Sequence, residues 1–226
     1  MEIKNLKKSF GKKLLYKDLS FQVDQGQIFA LIGPNGVGKT TLMKMILGWD
    51  KDYQGQIRLQ GQKKLAYSPE SPDFPDFLTG HDLMEFFIKL RGSQDQASEL
   101  LSLLGLEPTS KTLIKNYSKG MKQRLAVAQA LVGDPDILLL DEPTAGLDYF
   151  GQRLIIDLLE KLKDQGKTII LNSHLLLDVE KVCDCGLILM GPESHRSFSK
   201  EDLAQESLGQ MFMDLAKKSY QGGNYV

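Results

Sequence analysis

Short apolar runs and amphipathic stretches alternate along the chain regularly enough to place most elements. Ile3 to Phe10 and Lys17 to Val23, on either side of Gly11-Lys12-Lys13, read as strands joined by a turn. Ile28-Phe29-Ala30-Leu31-Ile32 is wholly apolar between glycines, the pattern of a buried strand. From Thr41 through Leu47 the apolar residues recur at helical spacing and stop at Gly48. Residues 56–59 and 65–68 predict two more strands, and 71–77 is a loop rich in proline and aromatics. Thr79 and Asp82 have capping-box spacing at the start of a helix whose apolar face is Leu83, Phe86, Phe87 and Leu90, closed by Arg91-Gly92. Helices follow at about 96–104 and from Ser118 through Leu131.

The second half returns to alternation. Asp136 to Leu140 is an apolar strand, 152–165 a helix, 168–171 a strand, and 187–190 the last core strand. The tail holds one amphipathic helix at about 203–216 and a polar terminus with Gly222-Gly223-Asn224. This order predicts the α/β class, with an N-terminal antiparallel β subdomain and an α-helical subdomain inserted at about 78–130. Residues 1–190 then form one domain and 191–226 a C-terminal tail.

Gly33-Pro34-Asn35-Gly36-Val37-Gly38-Lys39-Thr40-Thr41 fits the phosphate-binding pattern G-x-x-x-x-G-K-[ST], and it lies between a predicted strand and a predicted helix. The glycines allow main chain to approach phosphate oxygens, while the helix N-terminus adds amides and partial positive charge. Lys39 suits the β and γ phosphates, and the Thr40 hydroxyl suits Mg²⁺. The cofactors implied are ATP and Mg²⁺.

Further along, the strand ending at Leu140 runs into Asp141-Glu142, and paired acids at the end of a buried strand are costly without a partner. Asp141 fits an acid that reaches Mg²⁺ through water, and Glu142 a base that aligns the attacking water. A plain solvated strand end is the bland alternative. Ser118-Lys119-Gly120 precedes a helix and offers a second anion site, although a simple helix cap explains Ser118 as well. His174 follows a strand's carboxyl end, where open α/β sheets place functional groups.

Composition narrows the class without deciding it. The 226 residues carry a formal net charge of −1, so no global basic field argues for nucleic acid. Neither a signal peptide nor a membrane-spanning run is expected. Cys183 and Cys185 flank one aspartate, a spacing that suits partly buried thiols better than a disulfide or a zinc site.

Taken together, the ordered motifs resemble the nucleotide-binding subunit of an ATP-binding-cassette (ABC) transporter, from Met1 to about Met190. They are the phosphate loop, Phe10, Pro69-Glu70, Tyr117-Ser118-Lys119-Gly120-Met121, Leu140-Asp141-Glu142, Ala145-Gly146-Leu147-Asp148 and His174. The resemblance implies a phosphate-loop (P-loop) NTPase, RecA-like core. It makes Phe10 an adenine platform and His174 a contact to the γ-phosphate, and brings Ser118, Lys119, Gly120 and Asp148 to the nucleotide. Glu70 stands where the family usually has glutamine and approaches Mg²⁺, while Lys119 and Met121 replace a glycine and a glutamine of the usual signature. Glu70 looks like the exporter branch, whose ATPase chains stand alone. The implied partners are a multi-span membrane permease and a second ATPase chain, either identical or paralogous, meeting this one head to tail. The implied location is peripheral, at the cytoplasmic face of the cell membrane, and no nucleic acid is expected. A soluble relative acting on ribosomes or DNA would carry two cassettes or a long coiled coil, and a phosphate-loop kinase would not need Ser118, Asp148 and His174.

Overall fold

The computed structural model describes residues 1–221, so the Gly222-Gly223-Asn224 terminus lies outside the described residues. In chain order the elements are β1 (Glu2–Phe10), β2 (Lys13–Gln22), β3 (Ile28–Ile32), α1 (Lys39–Ile46), β4 (Gln54–Arg58) and β5 (Leu65–Ser68). Then come α2 (Gly80–Arg91), α3 (Ala97–Leu103), α4 (Lys119–Leu131), β6 (Ile137–Asp141), α5 (Tyr149–Asp164) and β7 (Thr168–Asn172). The last are α6 (Leu176–Val182), β8 (Cys185–Leu189), β9 (His195–Ser199), α7 (Lys200–Leu203) and α8 (Leu208–Gln221). The chain divides into two compact units, residues 1–63 with the chain from Thr168 onward, and residues 64–167.

In the first unit, β1 pairs antiparallel with β2 on one side and β4 on the other, which sets Ile3 between Phe21 and Ile57. This is the expected antiparallel subdomain. Lys8 of β1 is a buried exception to the apolar pattern, and its ammonium is satisfied by the Asp50 carboxylate at 2.9 Å and the Asp52 carbonyl at 2.6 Å. Burial opposes the Lys8 charge, but the hydrogen bond and charges of Asp50 and Asp52 outweigh it and hold its pKa above the ordinary lysine value.

The same unit holds a parallel set in which β3 lies between β7 and β8. All five residues of β3 and of β7 are buried, which explains why β3 and the Ile169-Ile170-Leu171 centre of β7 read as continuous apolar runs rather than alternating ones. Asp184, between the two cysteines, accepts the Ile28 amide at 2.9 Å and so ties the start of β8 to β3. Both cysteines are free thiols, and burial, with Cys185 and Asp184 beside it, pushes the Cys183 thiol up to about 12.

Two expectations fail in this unit. Residues 187–190 are not the last core strand, because β9 adds antiparallel to β8. The polar run His-Arg-Ser-Phe-Ser buries only Phe198, the weak pattern of an edge strand, and so gives little signal. The tail helix runs over Leu208–Gln221 rather than 203–216, because Ser207 caps it by accepting the Gln210 amide at 3.2 Å.

In the second unit β5 and β6 pair in parallel with Ser68 opposite Leu140, so Pro69-Glu70 and Asp141-Glu142 leave the pair at the same end. Helices α2, α3 and α4 pack on one another. The capping box of α2 forms as expected: Thr79 Oγ1 accepts the Asp82 amide at 3.1 Å and Asp82 Oδ2 accepts the Thr79 amide at 3.2 Å. Gly92 ends the helix at φ 60°, a left-handed conformation that glycine adopts without penalty. The buried face is Leu83, Met84 and Ile88, however, and Phe86 and Leu90 are exposed, contrary to the face inferred from apolar spacing.

Candidate functional site

The phosphate loop is shaped by main chain held from below. Lys39, the first residue of α1, is buried and turns its ammonium back onto the carbonyls of Gly33 at 2.7 Å and Pro34 at 3.1 Å. Gly38 caps the helix at φ 114°, and a side chain there would start 2.3 Å from the hydroxyl of Tyr16. That hydroxyl donates to the Gly38 carbonyl, and burial raises the Tyr16 pKa, so the donor keeps its proton. Gly33 is equally confined, because a Cβ would lie 2.3 Å from the Leu189 carbonyl of β8. Gly36, by contrast, has φ 80° and open space around it. An ammonium, a helix N-terminus and a glycine-rich loop are a donor set suited to a polyphosphate anion.

In the second unit, Asp141 is 1% exposed and Glu142 is 7% exposed, so the acidic strand end is buried rather than solvated. Glu142 has φ 51°, a conformation that costs a non-glycine residue about 1–3 kcal/mol and persists only where the surroundings enforce it. Tyr67 of β5 donates its hydroxyl to Asp141 Oδ2 at 3.2 Å. Burial, then the charges of Asp141 and Glu70, push the Tyr67 phenol above its ordinary pKa and keep it a donor. The Asp141 carboxylate is a hard oxygen donor of the kind Mg²⁺ prefers.

Residues 16–145 match the family described as ABC transporter. The chain belongs to this family. A relative is an uncharacterized ABC transporter ATP-binding protein of Synechocystis, 42% identical over 183 residues that make up 74% of this chain and 52% of that protein. This chain thus spans about half the length of that relative. The lantibiotic transport ATP-binding protein SrtF of Streptococcus pyogenes is 35% identical over 90% of this chain and 95% of its own length. A solved ATP binding subunit of an ABC transporter superposes with a TM-score of 0.83 at 27% identity, over 95% of this chain and 98% of that one. The α/β, phosphate-loop NTPase fold expected from the motifs is therefore the fold observed.

The remaining ABC motif residues divide between the units. Phe10 ends β1 with its ring exposed and the Lys8 ammonium 4.6 Å from its centroid, a cation–π contact that fixes the aromatic from behind. His174 is exposed just after β7. In the other unit Glu70, Ser118, Lys119 and Asp148 are exposed. Ser118 caps α4 by accepting the Met121 amide at 3.1 Å, which leaves its O–H free to donate. Asp148 caps α5 by accepting the Gly151 amide at 2.8 Å. Gly120 and Gly146 fit closely against neighbouring chain: a Cβ on Gly120 would lie 3.0 Å from Leu147, and one on Gly146 would lie 2.9 Å from the stem of Lys119. The Lys119 side chain therefore rests on the Ala145-Gly146-Leu147-Asp148 turn.

Beside Pro69 lies an apolar groove of about 560 Å³ whose lining includes Pro72, Phe74, Phe77, Phe86 and Phe87. Phe77 is 76% exposed and Phe86 56% exposed, unusually bare for large aromatics. Sequence reasoning overlooked Tyr16, Lys8, Tyr67 and Gln123, the residues that brace the motifs. Only Gln123 carried a signal: it is one and two helical turns from the apolar positions Val127 and Ala130–Leu131, which places it on the buried face of α4.

Proposed function

We propose that this chain binds and hydrolyses ATP to power a separate multi-span permease, at the cytoplasmic face of the membrane, through ATP-driven head-to-tail pairing with a second ATPase chain. In this reading Gly33 to Thr41 hold the phosphates, with Lys39 supplying the charge, and Phe10 stacks on adenine. Thr40, Asp141 and Glu70 would supply oxygen donors to Mg²⁺, whose charge would offset that of the phosphates. Glu142 is the base and His174 a γ-phosphate contact. Ser118, Lys119, Gly120 and Asp148 face the nucleotide of the partner chain, so one copy completes the other's site. Residues 1–190 act as the nucleotide-binding domain and 191–226 as its tail, which lends β9 to the sheet of that domain.

The observation that carries the coupling to a permease is the groove at Phe74, Phe77, Phe86 and Phe87. No described helix is long and apolar enough to cross a membrane, so the transport step falls to another chain in this reading. The groove begins at Pro69, next to Glu70, and would receive a short cytoplasmic helix of the permease. Three prolines stiffen the 69–75 segment, which lowers the entropy lost on docking. Phe74→Ala with Phe77→Ala should leave ATPase activity near normal while weakening permease binding by about 2 kcal/mol or more, a hot-spot magnitude. Co-purification with the membrane partner, beside a thermal melt, is the test. Full co-purification of a well-folded double variant would remove the groove from the coupling path.

A further inference from the structure

Gln123 is the most conspicuous polar side chain that the motifs do not account for. It sits one turn into α4, the helix that Ser118-Lys119-Gly120 opens, and its side chain is 0% exposed. Its Nε2 donates to the Pro69 carbonyl at 3.2 Å and to the Glu142 carbonyl at 3.3 Å. The opposite amide orientation would aim an oxygen at two carbonyls, so these partners also settle which way the amide points. Its Oε1 is buried and finds no hydrogen-bond partner among the described residues.

An amide with an unsatisfied acceptor is a poor way to fill a core position, since Met or Leu would fill it without the desolvation cost. What Gln123 does that they cannot is hold two particular carbonyls. One precedes Glu70 and the other belongs to Glu142, the residue with φ 51°. The Glu142 carbonyl also accepts the Ala145 amide at 3.0 Å, from the turn that follows. Through its two donated hydrogen bonds Gln123 ties that carbonyl to α4 and to the Glu70 loop.

We propose that Gln123 is a positioning residue for hydrolysis: it pins the main chain of Glu142 and of the Glu70 loop to α4, so that the Glu142 carboxylate is held where it can align water. The inference rests on the reading of Glu142 as the base. Gln123 touches no reacting atom, and its effect passes through Glu142. Gln123→Met keeps the length and removes both donors. In the otherwise native chain, kcat should fall about tenfold, the cost of a slightly misplaced base, while KM and the Kd of a non-hydrolysable ATP analogue stay within about twofold. In the Glu142→Gln background the same change should lower the residual rate no further, because the group it positions is already gone.

Equal fold-losses in the two backgrounds, or a loss of nucleotide affinity in step with the melting temperature, would reduce Gln123 to a core residue and overturn the proposal. So would an unchanged kcat. Should Gln123→Met fail to fold, Gln123→Asn, which keeps the amide but withdraws it by one methylene, is read by the same comparison. Failure of the underlying reading looks different: Glu142→Gln alone would then hydrolyse ATP at the native rate, and the inference would fall with it.

Discussion

The phosphate loop and the acidic strand end solve opposite problems with opposite materials. In the proposed reading the loop surrounds an anion, and it offers mostly main chain, with Gly33 and Gly38 where Leu189 and Tyr16 leave no room for a Cβ. The strand end must keep two carboxylates out of bulk water, and it is made of side chains brought from β5, β6 and α4. The first is contiguous in sequence and tolerates almost no substitution at its glycines. The second is dispersed, and each brace adds a modest amount of order to one acid. Binding should therefore fail abruptly when the loop is touched, and hydrolysis should fail by degrees when the braces are removed.

That contrast is sharpest for the acid itself. Glu142→Gln should retain ATP binding but slow hydrolysis about 10²- to 10⁴-fold, the contribution of a positioned base. The slowed variant should collect as an ATP-bound dimer in size measurements, and adding Ser118→Arg should return it to monomer. Native-rate turnover by Glu142→Gln would break the division of labour. Next in size is Lys39→Ala, which removes a charge-assisted contact and should weaken binding of a labelled ATP analogue by about 10²-fold. Undiminished binding would mean that the loop amides alone hold the nucleotide. The smallest effect belongs to a brace: Tyr67→Phe deletes one hydrogen bond to Asp141, worth about 1 kcal/mol, and should lower kcat roughly fivefold with little change in nucleotide affinity. A loss as large as that of Glu142→Gln would make Tyr67 more than a brace.

The sequence was legible where chemistry or periodicity is local. The phosphate loop, the all-apolar β3, the apolar centre of β7, the acidic pair and the capping box of α2 each lie within a dozen residues and were placed from them. Gly11-Lys12-Lys13 predicted the first hairpin turn, although β2 begins at Lys13, earlier than the apolar pattern suggested. What could not be read was decided by packing. Phe86 and Leu90 have the spacing of a buried face, yet burial fell to Leu83, Met84 and Ile88, because the helix turns its aromatics toward a groove. Tyr16 and Lys8 look like ordinary residues of a strand, and their partners are 22 and 42 positions away. The polar strand β9 and the seven-residue α6 fell below the length or apolarity that a pattern requires.

The polar strand has a consequence for concentrated solution. Four residues of β8, Gly186 to Leu189, are buried, and an uncovered edge of that kind is a template on which further chains can polymerise. β9 covers it along its whole length, from Cys185 opposite Ser199 to Leu189 opposite His195. The outermost strand on that side is therefore short and polar, with Arg196 engaged by Glu206 at 3.0 Å. A segment almost silent in the hydropathy pattern thereby acts as a guard against fibril growth, and its polarity is what fits it for that task.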